Sequence, residues 1–139
     1  MTPDQITLVK TTWAQVLPIQ DTAARLFYGR LFELAPETKP LFRGDMTEQG
    51  RKLMAIINTA VSSLDCLGDV LPAVQDMGRR HAGYGVQEAH YDKVGEALLW
   101  TLAQGLGEHF TPAAQESWAA AYGVLAGAMK ESARQAQAA

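Results

Sequence analysis

A single cysteine, Cys66, occurs in the 139 residues, so no internal disulfide forms, which fits a reducing compartment. Basic charge is not in excess. Twelve Lys and Arg stand against fifteen Asp and Glu, a net charge of −3, which leaves no footprint for nucleic acid. No stretch approaches the ~20 apolar residues of a membrane span. The N-terminal MTPDQITLVKTTWAQ has Asp4 where a signal peptide wants basic charge. Period-two alternation and hairpin turns are absent, which removes β architectures. Also missing are GxxxxGK[ST], GxGxxG, CxxC and HExxH, and with them most hydrolase and nucleotide-enzyme readings. Three histidines, His81, His90 and His109, do not have the spacing of a zinc site with Cys66. With 47% hydrophobic and 19% charged residues, the chain is neither a disordered tail nor a charged coiled coil. One cytoplasmic domain over residues 1–139 is expected, with no nucleic acid or membrane partner.

What is present is helical spacing nearly throughout. Thr2-Pro3-Asp4-Gln5 combines a hydroxyl cap, a first-turn proline and a glutamine three residues after the cap, a helix-start signature. Ile6, Val9, Trp13, Val16 and Leu17 follow on one face until Pro18. A second series runs from Ala24 through Phe27, Tyr28, Leu31 and Phe32 to Leu34, and the PETKP segment at 36–40 suits one tight turn. Arg43-Gly44-Asp45 reads as a loop. The cleanest stripe, Leu53, Ile56, Ile57, Ala60, Val61 and Leu64, has Gln49 one turn ahead of it. A helix from about Asp69 to His81 carries Leu71, Val74, Met77 and His81. Another carries Tyr91, Val94, Leu98 and Leu102, and a last, capped by Thr111-Pro112, carries Trp118, Tyr122, Leu125 and Met129. Residues 133–139 lose the stripe and are expected to fray. These features predict an all-α fold of six or seven helices packed around a shared interior.

Three polar side chains fall on core-facing stripes: Tyr28, Gln49 and His81. Taken singly, each has a structural explanation. His81 is then a core histidine bonded to a carbonyl, Gln49 a helix-start residue, and Tyr28 a buried ring with a satisfied hydroxyl. Taken together, they are three inward polar groups in an apolar interior, where an unpaired one costs about 1–3 kcal/mol. A flat apolar cofactor with a central metal satisfies all three, with imidazole on one side and phenol and carboxamide on the other.

At these residues the chain resembles the globins. Pro36-Glu37-Thr38-Lys39-Pro40-Leu41-Phe42 is similar to the globin CD corner, and Leu71 to His81 to the proximal helix that ends in the haem-ligating histidine. His90-Tyr91-x-x-Val94-Gly95-x-x-Leu98 and Trp118-x-x-x-Tyr122-Gly123-Val124-Leu125 resemble the last two helices of bacterial single-domain globins and of the haem domain of flavohaemoglobins. The likeness covers essentially the whole chain. It implies a globin fold without a D helix and haem b, iron protoporphyrin IX, as cofactor. His81 is implied as the proximal iron ligand, Phe42 as the ring stacked on the porphyrin, and Tyr28 and Gln49 as distal hydrogen-bond donors. Leu53 is implied as the cap of the ligand pocket, with Met77, Val86, Val94 and Leu98 as haem wall. Lys52, Arg80 and Tyr84 fall at propionate-partner positions, where ordinary solvated side chains are the alternative.

The ligands so implied are O2, NO, CO and similar small molecules. Two distal donors should hold O2 tightly, which favours chemistry such as NO dioxygenation over oxygen transport. A haem-based sensor and a haem-free helical module are the alternatives. Tyr91 matches the tyrosine that flavohaemoglobins set beside the proximal histidine. The accompanying glutamate's place is taken by Ala133, and Glu131 lies about 200° round the helix from it. His81 is therefore expected to donate its other N–H to a backbone carbonyl near Met77. With no flavin or NAD domain after Ala139, turnover is expected to need a separate reductase.

Overall fold

A computed structural model describes residues 1–42 and 44–138; Arg43, in the expected loop, and Ala139 lie outside them. Six α-helices follow one another: α1 (Pro3–Val16), α2 (Gln20–Leu34), α3 (Met46–Ser62), α4 (Leu67–Gly83), α5 (Glu88–Leu106) and α6 (Pro112–Ala138). Short 3-10 turns lie at Leu17–Ile19, Pro36–Leu41, Leu64–Cys66 and Gly107–His109. Among the described residues there is no strand, no helix between Leu41 and Met46, and no single helix long and apolar enough to cross a membrane.

The helix starts follow from their caps. The Thr2 hydroxyl accepts from the Gln5 N–H at 3.1 Å while the Gln5 side chain takes the Thr2 N–H at 3.0 Å, closing a capping box. Asp45 accepts from Thr47 N–H at 2.9 Å to open α3. His90 Nδ1 accepts the Gln87 N–H at 3.0 Å at the head of α5, and Thr111 caps α6 through the Ala114 N–H. The stripe of α6 runs out at Ala133, yet the helical backbone continues to Ala138 and Ala133 itself is buried.

Helices α4 and α6 pack together most extensively, followed by α2 on α5 and α1 on α6. Where α2 crosses α3, a side chain at Gly50 would stand 2.9 Å from the Ala24 methyl, so hydrogen at this position lets the two backbones close up. One core cluster gathers Val9, Trp13, Val16, Met54, Leu102 and Trp118 from α1, α3, α5 and α6. Its two indoles are tied down: Trp118 Nε1 donates to Thr12 Oγ1 at 2.8 Å and Trp13 Nε1 to Asn58 Oδ1 at 2.9 Å. A second cluster holds Phe27, Tyr28, Leu31, Ala35 and Ala97, with Phe32, Phe42, Leu53, Val94 and Leu98 against it.

Helices α3 and α4 are strongly amphipathic, yet they barely touch each other. Their apolar stripes face a cavity instead, and this arrangement positions the site.

Candidate functional site

The cavity holds about 480 Å³, inside the roughly 300–1,000 Å³ range of cofactor and ligand pockets. From α3 it is lined by Leu53, Ile56, Ile57 and Val61, and from α4 by Val74, Met77 and His81. Val86, Tyr91, Val94 and Leu98 close one side, and Trp118, Tyr122, Leu125 and Met129 of α6 close another. Ile56 is 45% exposed because it faces this space and not a neighbouring helix. Titratable groups are few on so apolar a wall: His81, Tyr91 and Tyr122.

His81 sits in the last turn of α4. Its Nδ1 lies 2.7 Å from the Met77 carbonyl oxygen. A carbonyl only accepts, so Nδ1 carries the proton and Nε2 keeps its lone pair. Burial holds the imidazole below the ordinary 6.5. The Met77 bond pushes the other way, and the Arg80 charge adds a further lowering. A neutral imidazole with a free Nε2 on an apolar cavity is a metal ligand in its binding form. Beyond it, Gly85 adopts a φ of +92°, the left-handed region that glycine enters freely. The turn returns the chain so that the Val86 N–H reaches the His81 carbonyl at 3.0 Å and Val86 joins the wall.

Tyr28 shares the second core cluster with Phe27 and Leu53, and neither Tyr28 nor Gln49 is among the residues that line the cavity. The Tyr28 ring packs edge-on against Phe27 at 5.1 Å and Phe42 at 5.2 Å. Burial pushes its phenol above 10.0, opposed in part by the Gln49 side chain. Phe42 belongs to the same aromatic group, 5.6 Å from Phe32, and is likewise off the cavity wall. Lys52, Arg80 and Tyr84 are exposed and outside the lining, Tyr84 by 64%. Arg80 is paired with Asp76 at 3.2 Å, while the Tyr84 ring sits 6.4 Å from that of His81.

Tyr91 lies on the wall with its hydroxyl buried and without a hydrogen-bond partner among the described residues, and burial raises its pKa. Ala133, at the position where the resemblance implies the flavohaemoglobin glutamate, is buried. Glu131 is exposed and paired with Arg134. Tyr122, by contrast, is anchored: its hydroxyl donates to the Tyr91 carbonyl at 2.6 Å, and burial raises its pKa further. Sequence reasoning placed Tyr122 on the right face but gave no sign of this bond, since its acceptor is a backbone atom 31 residues away.

With this geometry in place, the comparisons with known proteins fall on one family. The globin family model matches residues 25–129. The chain belongs to the globins. It is 31% identical to a flavohemoprotein of Bacillus subtilis over 126 residues, 88% of this chain and 32% of that one. To a flavohemoprotein of Vibrio cholerae it is 30% identical, covering 91% of this chain and 33% of the other. A neuroglobin of Chaenocephalus aceratus is 28% identical over 89% of this chain and 87% of its own. The chain thus spans about a third of the flavohemoproteins and most of the neuroglobin. In fold, it superimposes with a TM-score of 0.86 on a hexacoordinated haem protein from an anhydrobiotic tardigrade, at 18% identity and 96% coverage of both chains. The all-α fold expected from the residues, and the globin fold that the resemblance implied, are the fold found.

Proposed function

We propose that this globin holds haem b in the cavity between α3 and α4, that His81 Nε2 would hold its iron, and that the protein binds O2 and other diatomic gases. One observation carries the reading. His81, the one imidazole among the described residues that line the cavity, is held by Met77 in the tautomer whose Nε2 carries a lone pair and no proton. A haem bound there would supply the chemistry of reversible binding of O2, NO or CO. The cavity's volume and apolar walls suit a porphyrin. A non-covalent, b-type attachment agrees with the single cysteine, Cys66, which is exposed and off the wall.

The chain's own residues have separate tasks in this reading. Leu53, Phe27, Val94 and Leu98 exclude water from the α3 side. Tyr28, kept protonated by burial, and Gln49 supply the donors, from positions outside the present cavity lining. Hydrogen bonds in so dry a site favour polar O2 over CO. Lys52, Arg80 and Tyr84 are proposed at the rim as propionate partners.

Likeness to the flavohemoproteins extends the proposal to conversion of NO and O2 with one electron to nitrate, the electron coming from a reductase. The unpartnered Tyr91 hydroxyl and Ala133 set this chain apart from the proximal arrangement that the resemblance implies.

Titration of the purified protein with hemin tests the reading. One equivalent should give a Soret band that shifts on reduction and again on exposure to O2. A chain that stays colourless overturns it. Nitrate formation on mixing the oxygenated protein with NO tests the extension.

A further inference from the structure

Between α4 and α6 the backbones come into direct contact. A side chain at Gly78 would stand 2.4 Å from the Met129 carbonyl oxygen and 2.8 Å from its Cα, so no residue but glycine lets α4 approach this closely. One turn away on each helix there is a second contact. Ser132 Oγ donates to the Gln75 carbonyl at 2.7 Å and accepts from Arg79 Nη1 at 3.2 Å. Ser132 is only 4% exposed, and its bond crosses to α4, whereas the other buried serine of α6, Ser117, bonds to the Ala113 carbonyl of its own helix.

We propose that Ser132, acting with Gly78, is the positioning residue for His81. The proposal rests on the haem reading above. Contacts at Gly78 and at Gln75 lie about one turn, ~5 Å, apart along α4. Two such points stop α4 from sliding and from rotating about its axis, whereas one would permit rotation. His81 is one turn beyond Gly78, and its hydrogen-bond acceptor Met77 is the residue before Gly78. A rotation of about 20° would carry an imidazole nitrogen about 6 Å from the axis through about 2 Å, enough to take Nε2 out of line with the cavity. Met129 also puts its side chain on the cavity wall, so the same residue of α6 sets both the depth of α4 and part of the space that His81 faces. Flavohaemoglobin-like support by a carboxylate is missing here, and the clasp from α6 holds the histidine through its helix instead.

Ser132→Ala removes one oxygen and leaves the packing. Ser117→Ala, which removes an equally buried hydroxyl of α6 without touching α4, is the control. In the haem-free chain, 15N NMR of the histidine rings reads the His81 tautomer. Ser132→Ala should keep the Nδ1–H tautomer, which a bond within α4 fixes, but shift or broaden the His81 ring signals as the ring's place on the cavity changes, and Ser117→Ala should leave them as in the wild type. In the hemin-loaded protein, Ser132→Ala should release hemin about tenfold faster and displace the iron–histidine stretching band in the resonance Raman spectrum of the ferrous form. Unchanged ring signals in Ser132→Ala, or equal changes in Ser117→Ala, overturn the proposal. Failure of the wild type to take up hemin would overturn the haem reading, and the ring signals of the haem-free chain would still decide the clasp.

Discussion

His81 donates its Nδ1–H in a hydrogen bond to the carbonyl oxygen of Met77, one turn back on the same helix, across 2.7 Å. The bond does two things at once. It satisfies a half-buried imidazole, as any core histidine must be satisfied, and it leaves Nε2 as the one side-chain lone pair of an imidazole on a large apolar cavity. His81→Ala should therefore bind hemin weakly or lose it on gel filtration, and added free imidazole should restore a low-spin or ligated spectrum. A variant that retains hemin with the wild-type spectrum would remove His81 from the axial position.

Tyr28→Phe tests the other side. The ring stays in its aromatic cluster with Phe27, Phe32 and Phe42, so folding should be little altered. Loss of one hydrogen bond to O2, about 1.4 kcal/mol, corresponds to an off-rate at least about tenfold faster. Stopped-flow O2 release reads this directly. An unchanged off-rate would show that the phenol stays in its aromatic cluster and never meets the ligand.

Much of this was legible in the residues, for physical reasons that differ from site to site. Capping at Thr2 and Thr111 and the stripes of α1, α5 and α6 are local, and local chemistry can be read from one chain. The His81–Met77 bond is also local, an i to i−4 contact, and was expected. The stripes of α3 and α4 were read as core. They are apolar because they line the cavity, a distinction that periodicity does not make. Phe42, Lys52, Arg80 and Tyr84 were put at the site by resemblance alone, and the structure has them off the cavity wall. Gly78 against Met129 and Ser132 against Gln75 join residues more than fifty positions apart, for which no pattern in the chain gives notice.

The pH dependence of the haem-free chain follows from burial of His81. Its folded pKa lies below 6.5, so the unfolded chain binds the proton more readily than the folded one. Its contribution to stability is fully present above pH 6.5. It is lost as the pH falls from there toward the folded value, and no more is lost below that. Urea unfolding at pH 7.5 and 5.5 should show a decline in the wild type that is smaller in His81→Leu. Equal declines would mean that other groups carry the dependence.

Thr12→Val should cost about 1–3 kcal/mol, the price of a buried indole N–H left without an acceptor. The Thr12 hydroxyl donates to the Leu8 carbonyl at 2.6 Å and accepts from Trp118, and valine keeps the shape while losing both roles. Since Trp118 also lines the cavity, the loss should appear in thermal melts and, in part, in hemin retention. A variant as stable as the wild type would show that the Trp118 N–H finds another acceptor.

Tyr91→Phe should do the opposite. The hydroxyl it removes is buried at the cavity without a partner among the described residues, so the folded state already bears the cost of stripping water from it. Phenylalanine relieves that cost and keeps the ring, including its place beneath Lys130 at 5.9 Å. The haem-free variant should match or exceed the wild type by up to about 1 kcal/mol in chemical unfolding. In the loaded protein, a hydroxyl that pairs with a group in the cavity gives the reverse sign, and Tyr91→Phe then loses hemin faster than the wild type. Comparing the two forms separates a residue that serves the cofactor from one that only fills the wall. A loss of more than about 1 kcal/mol in the haem-free chain would show instead that the hydroxyl has a protein partner in solution.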